Sequence, residues 1–169
     1  SAQTTDKKVN SVTAILFEKY PSLETLRDAD VNDLIEIIRP IGTYQKKAAF
    51  IKKIAAELLD KYNGIIPNNR GSLESLSGVG RKTANVVLSV LYNEPCIAVD
   101  THVSRVSIRL GLAKPKDDVL TIEKKLTKLI PKEKLSDMHH RLLLFGRYYC
   151  LARKPKCQTC KLFDICKEK

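Results

Sequence analysis

Residues 73–91 read LESLSGVGRKTANVVLSVL, from Leu73 to Leu91. Leu73 and Leu76 close a short helix, Ser77-Gly78-Val79-Gly80 make a tight turn, and Arg81 opens a second helix with Ala84, Val87, Leu88 and Leu91 on its apolar face. Recurrence at three and four is the helical period. Two glycines one residue apart open backbone conformations closed to other residues and let the main chain approach a ligand. The free N–H groups and the dipole at the start of the second helix favour an anion. A DNA phosphate meets both features, and such a contact grips the backbone without reading bases. The plain alternative is a helical corner whose glycines serve only the bend. Arg81 and Lys82, directly behind the turn, add charge in favour of the phosphate.

Outward from this hairpin the same spacing recurs. Val9, Val12, Leu16 and Tyr20 form a stripe ended by Pro21, and Val31, Leu34, Ile35 and Ile38 another, stopped before Pro40. Ala48, Ile51, Ala55, Leu58, Leu59 and Tyr62 make a longer one, closed by Asn63-Gly64. Val119, Ile122, Leu126 and Leu129 lead up to Pro131, and Leu135, Met138, Leu142, Phe145 and Tyr149 run into a cysteine-rich end. No alternating strand pattern stands out, and Cys96 to Val99 is too short to count as one. The spacing predicts an all-α fold.

Lys plus Arg number 30 against 19 Asp plus Glu, a formal net charge of +11. Such a positive field attracts polyanions, nucleic acid first and an anionic membrane surface second. No apolar run approaches the roughly 20 residues of a membrane span, and no signal-peptide pattern opens the chain. The expectation is a soluble intracellular protein, working in cytoplasm or nucleoid, or in nucleus or mitochondrion, without membrane contact. The opening SAQTTDKK carries no methionine and reads as the start of a fragment or of the ordered part of something longer; Thr4, Thr5 or Asp6 is placed to cap the first helix.

Four of the five cysteines fall at Cys150, Cys157, Cys160 and Cys166, in the pattern C-x6-C-x2-C-x5-C. Crowding at one end reads as a metal site in a reducing compartment rather than a disulfide scaffold. Four thiolates hold zinc or an iron–sulfur cubane. Only Cys157 and Cys160 form a tight hook; the longer arms to Cys150 and Cys166 suit a bulkier group. The loop between the first two cysteines carries Arg153, Lys154 and Lys156, and anchoring at a rigid cluster would fix them to meet phosphates. Cys96 stands alone and reads as a buried apolar residue.

Lys82 falls in the first turn of its helix, at the positive end of the dipole and beside Arg81. Both disfavour an ammonium, and a neutral lysine amine makes Schiff bases. A phosphate contact is the other reading. Asp100, in AVDTHVSRV, reads as the cap of a helix carrying Val103, Val106 and Leu110. A capping carboxylate is also held rigidly enough to serve a reaction centre. His102, His139, His140, Arg105, Arg109 and Arg147 remain open.

LSGVGRKTANVVL, IAVDTHVSRV and C-x6-C-x2-C-x5-C, in this order, resemble the endonuclease III family of helix–hairpin–helix DNA glycosylases along nearly the whole chain. The resemblance implies two helical lobes with duplex DNA in the cleft between them. We expect a lobe of residues 1–94 with the hairpin at about 72–92, and a second of 95–169 ending in a cluster loop at 150–166. It implies a monomeric base-excision enzyme that removes damaged pyrimidines and cuts the strand at the abasic site. Lys82 matches the nucleophile that attacks the sugar, and Asp100 the assisting aspartate. Ser77, Gly78, Val79 and Gly80 match the phosphate-gripping hairpin, with Arg81 behind it expected as a further DNA contact, and the four cysteines match the ligands of a [4Fe-4S] cluster. Gln3 matches a glutamine that fills the gap left by the flipped nucleotide. Thr43 stands where many relatives place a bulky apolar wedge, and the helical sequence that family members carry ahead of Ser1 has no counterpart here. A monofunctional glycosylase of the same superfamily, or a non-catalytic DNA-binding module with a structural zinc, are the alternatives.

Overall fold

The computed structural model describes residues 4–168, so Gln3 lies outside the described residues. Among these, every regular element is helical: α1 Asp6–Lys19, α2 Leu23–Asp28, α3 Val31–Ile38, α4 Tyr44–Tyr62, α5 Arg70–Glu74, α6 Arg81–Tyr92, α7 Thr101–Arg109, α8 Val119–Leu129 and α9 Leu135–Tyr148, with 3₁₀ turns at Lys132–Lys134 and Cys157–Thr159.

The helix starts are written in side chains. Thr5, Ser22, Asp30, Asn69, Asp100 and Asp118 each accept a backbone N–H from the first turn of the adjoining helix, which satisfies donors the helix itself leaves open. Ser22 and Thr25 complete a reciprocal capping box on α2, a helix too short to announce itself by apolar spacing. Asn63 and Gly64, with φ of 51° and 76°, end α4 in the left-handed region, and Asn93 at 52° ends α6 in the same way.

The chain divides into two compact units, one ending at Val79 and the other beginning at Gly80. The reading from sequence put this division after residue 94; α6 instead belongs with the residues C-terminal to it. In the first unit Val12, Leu16, Leu34, Ile38 and Ala48 form the core, and α4 packs along α2 and α3. In the second, Ile97, Val99, Val103, Val106, Ile122, Leu126, Leu135 and Leu142 form the core. There α7 lies on α9 at Gly146, where a Cβ would come 3.0 Å from the His102 carbonyl and from Val106. Within the described residues no helix is long and apolar enough to cross a membrane.

Candidate active site and nucleic-acid interface

The hairpin is built from three different constraints. Glu57 of α4 receives the Ser77 N–H at 2.8 Å and the Ser77 hydroxyl at 2.9 Å. These two donors hold its carboxyl below the usual carboxylate range, the backbone N–H most of all. Gly78 has φ 75°, and a Cβ there would lie 2.6 Å from the Phe50 ring. Gly80 meets nothing within 4 Å of an added Cβ. Gly78 is therefore required by the turn, whereas Gly80 leaves the backbone open to approach. Gly80 is also the N-cap of α6 and brings no side-chain cap, so the first-turn donors stay available to an anion.

Lys82 is exposed in that first turn, and among the described residues its amine has no hydrogen-bond or ion-pair partner. Asp100 caps α7 through one oxygen, Oδ1, which accepts from the His102 N–H at 2.9 Å and the Val103 N–H at 2.8 Å. Oδ2 makes no hydrogen bond within the described residues. The capping reading of Asp100 therefore holds, and it leaves half of the carboxylate free. His139 of α9, 9 % exposed, feels the charge of both Asp100 and Lys82. Burial, then its neighbour His140, push the imidazole below its ordinary value.

Arg81 has an internal partner that its place behind the turn does not reveal. Its guanidinium makes a two-pronged ion pair with Glu123 of α8, both contacts at 2.9 Å, and the Glu123 side chain is only 9 % exposed. Thr43, exposed ahead of α4, holds φ 58°, which a β-branched residue rarely adopts. Its hydroxyl turns back onto the Gly42 carbonyl.

Cys150, Cys157, Cys160 and Cys166 line one cavity of about 150 Å³, with Tyr149, Pro155, Leu162 and Phe163 among its other walls. Zinc needs its sulfurs about 2.3 Å from one point; among the described residues no three of His, Cys, Asp and Glu gather around such a point. Four thiols spread round an apolar cavity fit a larger, cubane-sized group. Two arginines of α7 brace its rim. Arg105 donates to the Cys150 carbonyl at 3.1 Å and the Gly146 carbonyl at 2.7 Å. Arg109 reaches the Cys150 sulfur at 3.4 Å and the Leu151 carbonyl at 2.7 Å. Of the loop cations, Lys156 sits over the Tyr149 ring, 5.8 Å from its centroid. Arg153 and Lys154 are exposed, without a partner among the described residues. Lys154 holds φ 52° directly before Pro155, a conformation disfavoured there.

The model of the HhH-GPD superfamily of base excision DNA repair proteins matches residues 1–132, and that of the iron–sulfur binding domain of endonuclease III matches residues 150–166. Endonuclease III of Bacillus subtilis is 49 % identical over 168 residues, covering 99 % of this chain and 77 % of the relative. That of Escherichia coli K12 is 45 % identical over 169 residues, 100 % of this chain and 80 % of the relative. The chain belongs to the endonuclease III family. A structure of a trapped endonuclease III–DNA covalent intermediate superposes with a TM-score of 0.96 at 52 % identity, over 99 % of this chain and 79 % of that one. A thermostable thymine-DNA glycosylase gives 0.88 at 25 % identity, over 98 % and 78 %. As an endonuclease III family member the chain is a base-excision DNA glycosylase with abasic-site lyase activity, binds DNA and carries a [4Fe-4S] cluster.

Within this endonuclease III framework, sequence reasoning passed over Glu57, Glu123 and Asn85, and left His139, Arg105 and Arg109 unassigned. The arginines did carry a signal. Four residues apart on α7, they share one face of the helix, and the arginine-to-cysteine contacts lie on it. Cys96 is half-buried and borders a different, much smaller cavity with Asn85 and His139.

Proposed function

We propose that Lys82 and Asp100 are the catalytic residues, acting on duplex DNA that carries oxidised or otherwise damaged pyrimidines or abasic sites, and that the protein does so as a monomer inside the cell. The Lys82 amine attacks C1′ of the flipped nucleotide. The N-glycosidic bond breaks and the base leaves with a proton. Asp100, anchored through Oδ1, turns Oδ2 to the positive charge that grows on the sugar as the base departs. Opening of the sugar ring leaves a Schiff base between the amine and C1′. Loss of a C2′ proton then expels the 3′ phosphate by β-elimination, and water releases Lys82.

Cys150, Cys157, Cys160 and Cys166 are the residues that would hold the cluster, which stiffens the loop bearing Arg153 and Lys154 for phosphate contact. The Ser77–Gly80 turn and the start of α6 take a phosphate through backbone N–H groups. Gln3 and Thr43 are the groups that would enter the duplex.

The carrying observation is that a lysine amine without a partner among the described residues, at the start of α6, and a carboxylate anchored through one oxygen only, at the start of α7, belong to the same compact unit. The covalent DNA complex of a structural relative supports the amine chemistry. Borohydride reduction in the presence of abasic duplex tests it. The wild-type protein is expected to become covalently attached to DNA, and Lys82→Ala to lose that attachment. Equal trapping by Lys82→Ala refutes the assignment.

A further inference from the structure

We infer that Asn85 and His139 are positioning residues that set the separation of Lys82 and Asp100 by holding the segment 97–99 between α6 and α9. The inference rests on the reading of Lys82 and Asp100 given above. Asn85 follows Lys82 by one helical turn and is 1 % exposed. Its Nδ2 donates to the Ile97 carbonyl at 3.1 Å. His139 comes from the other side, on α9, and borders the same small cavity as Ala98. Just ahead of Asp100, Ile97 is thus held by a hydrogen bond from α6 and Ala98 is packed against His139 of α9.

The segment needs this. Ile97, Ala98 and Val99 are buried, at 1 %, 2 % and 4 % exposure, yet they form no strand and have no ladder to pair their polar groups. Buried backbone carbonyls must find donors somewhere, and the Asn85 side chain provides one for Ile97. The arrangement is also costly. Nδ1 of His139 is buried without a partner among the described residues, and an unsatisfied buried polar atom is destabilising. A cavity of about 20 Å³ remains between Asn85, Ser89, Cys96, Ala98 and His139. Apolar side chains would fill this space more stably, but they would release the segment that ends in Asp100.

The chemistry predicts which step suffers. Base loss needs the amine and the carboxylate at one sugar carbon together. A pre-formed abasic site already offers an aldehyde at C1′, so the amine adds to it with no base to expel and without the oxocarbenium-like charge that base departure builds on the sugar. An ångström of displacement between the two groups is worth up to about a hundredfold in rate, and it falls on base loss.

The test measures two single-turnover rates on one preparation, base loss from a duplex with an oxidised pyrimidine and cleavage of a pre-formed abasic duplex. Their ratio is independent of the folded fraction. Asn85→Ala is expected to lower the ratio of base loss to cleavage about tenfold or more, with affinity for a tetrahydrofuran-containing duplex within about twofold of wild type. His139→Leu is expected to move the ratio in the same direction, and it decides the matter if Asn85→Ala does not fold. Ser89→Ala removes the 2.7 Å hydroxyl contact with Ser136 between the same two helices and is expected to leave the ratio unchanged. A wild-type ratio in Asn85→Ala and His139→Leu overturns the inference, as does an equal fall in Ser89→Ala. Failure of the Lys82 reading looks different: the wild-type protein would cleave abasic duplex without borohydride trapping.

Discussion

Replacing Asp100 with asparagine keeps a helix cap and removes a charge. In the structure Oδ1 holds two first-turn N–H groups of α7, at 2.9 and 2.8 Å. Asparagine caps about as well as aspartate, whereas alanine costs about 1 kcal/mol. At this chain length that is a fall of about 2–4 °C in Tm for Asp100→Ala and almost none for Asp100→Asn. The catalytic loss is of another size. A carboxylate about 4 Å from a unit positive charge is worth about 4 kcal/mol at an effective dielectric of 20, close to a thousandfold in rate. Asp100→Asn and Asp100→Ala should therefore lose base excision by similar large factors while differing in Tm. Calorimetry paired with single-turnover excision on an oxidised-pyrimidine duplex measures both. If Asp100→Asn excises within tenfold of wild type, the carboxylate is a cap and nothing more, and the assignment of its free oxygen to the sugar is wrong.

Other perturbations read other parts of the molecule. Arg81→Met leaves Glu123 unpaired at 9 % side-chain exposure; breaking a buried pair costs about 3–5 kcal/mol, and the 38 % exposure of Arg81 reduces the expectation to about 2 kcal/mol, measured by denaturant titration. Weakened DNA binding at unchanged stability would instead make Arg81 a phosphate contact. The Glu57 carboxyl is depressed in the folded protein, so its contribution is complete above the ordinary value of 4.5 and is lost as pH falls through the folded value. Glu57→Gln should flatten the fall in Tm on acidification below about pH 5, and an unaltered profile contradicts the Ser77 anchor. Arg153→Ala with Lys154→Ala should reduce the slope of log affinity against log salt by nearly two, leaving turnover on saturating DNA unchanged. An unchanged slope removes both from the interface.

The helices with long apolar stripes were legible because their spacing and their stops agree. Pro21, Pro40, Asn63-Gly64 and Pro131 punctuate α1, α3, α4 and α8 where the stripes end. What escaped was pairing between distant residues. Nothing at position 57 announces that its carboxylate will hold Ser77, and nothing at position 123 announces Arg81, because such partners become neighbours only once helices pack. His139 was named without a definite role for a related reason. A histidine pair on an amphipathic helix shows one member in solvent and one in the core, and the sequence does not say what the core member will meet. The division at 79/80 followed from the same kind of contact, since Asn85 and Ser89 commit α6 to residues 97 and 136.

The net charge of +11 overstates the surface offered to DNA, and the structure shows how to correct it. Arg81 pairs with Glu123, Lys125 with Asp117, Lys19 with Asp33 and Arg109 with Glu168, while Arg105 is absorbed by the carbonyls of Gly146 and Cys150. Each of these cations lowers the cost of burying an acid or a carbonyl, and none is free to follow a phosphate without giving that up. Lys82, Arg153 and Lys154 have no such engagement among the described residues, and each is held by backbone geometry: a helix start for the first, a loop anchored between cysteines for the others. A cation whose position is fixed by the main chain loses little freedom when a phosphate arrives. Fixed placement without an internal partner, rather than clustering in the sequence, is thus the criterion by which Lys82, Arg153 and Lys154 are proposed to face DNA, and it ranks Arg81, held by Glu123, below them.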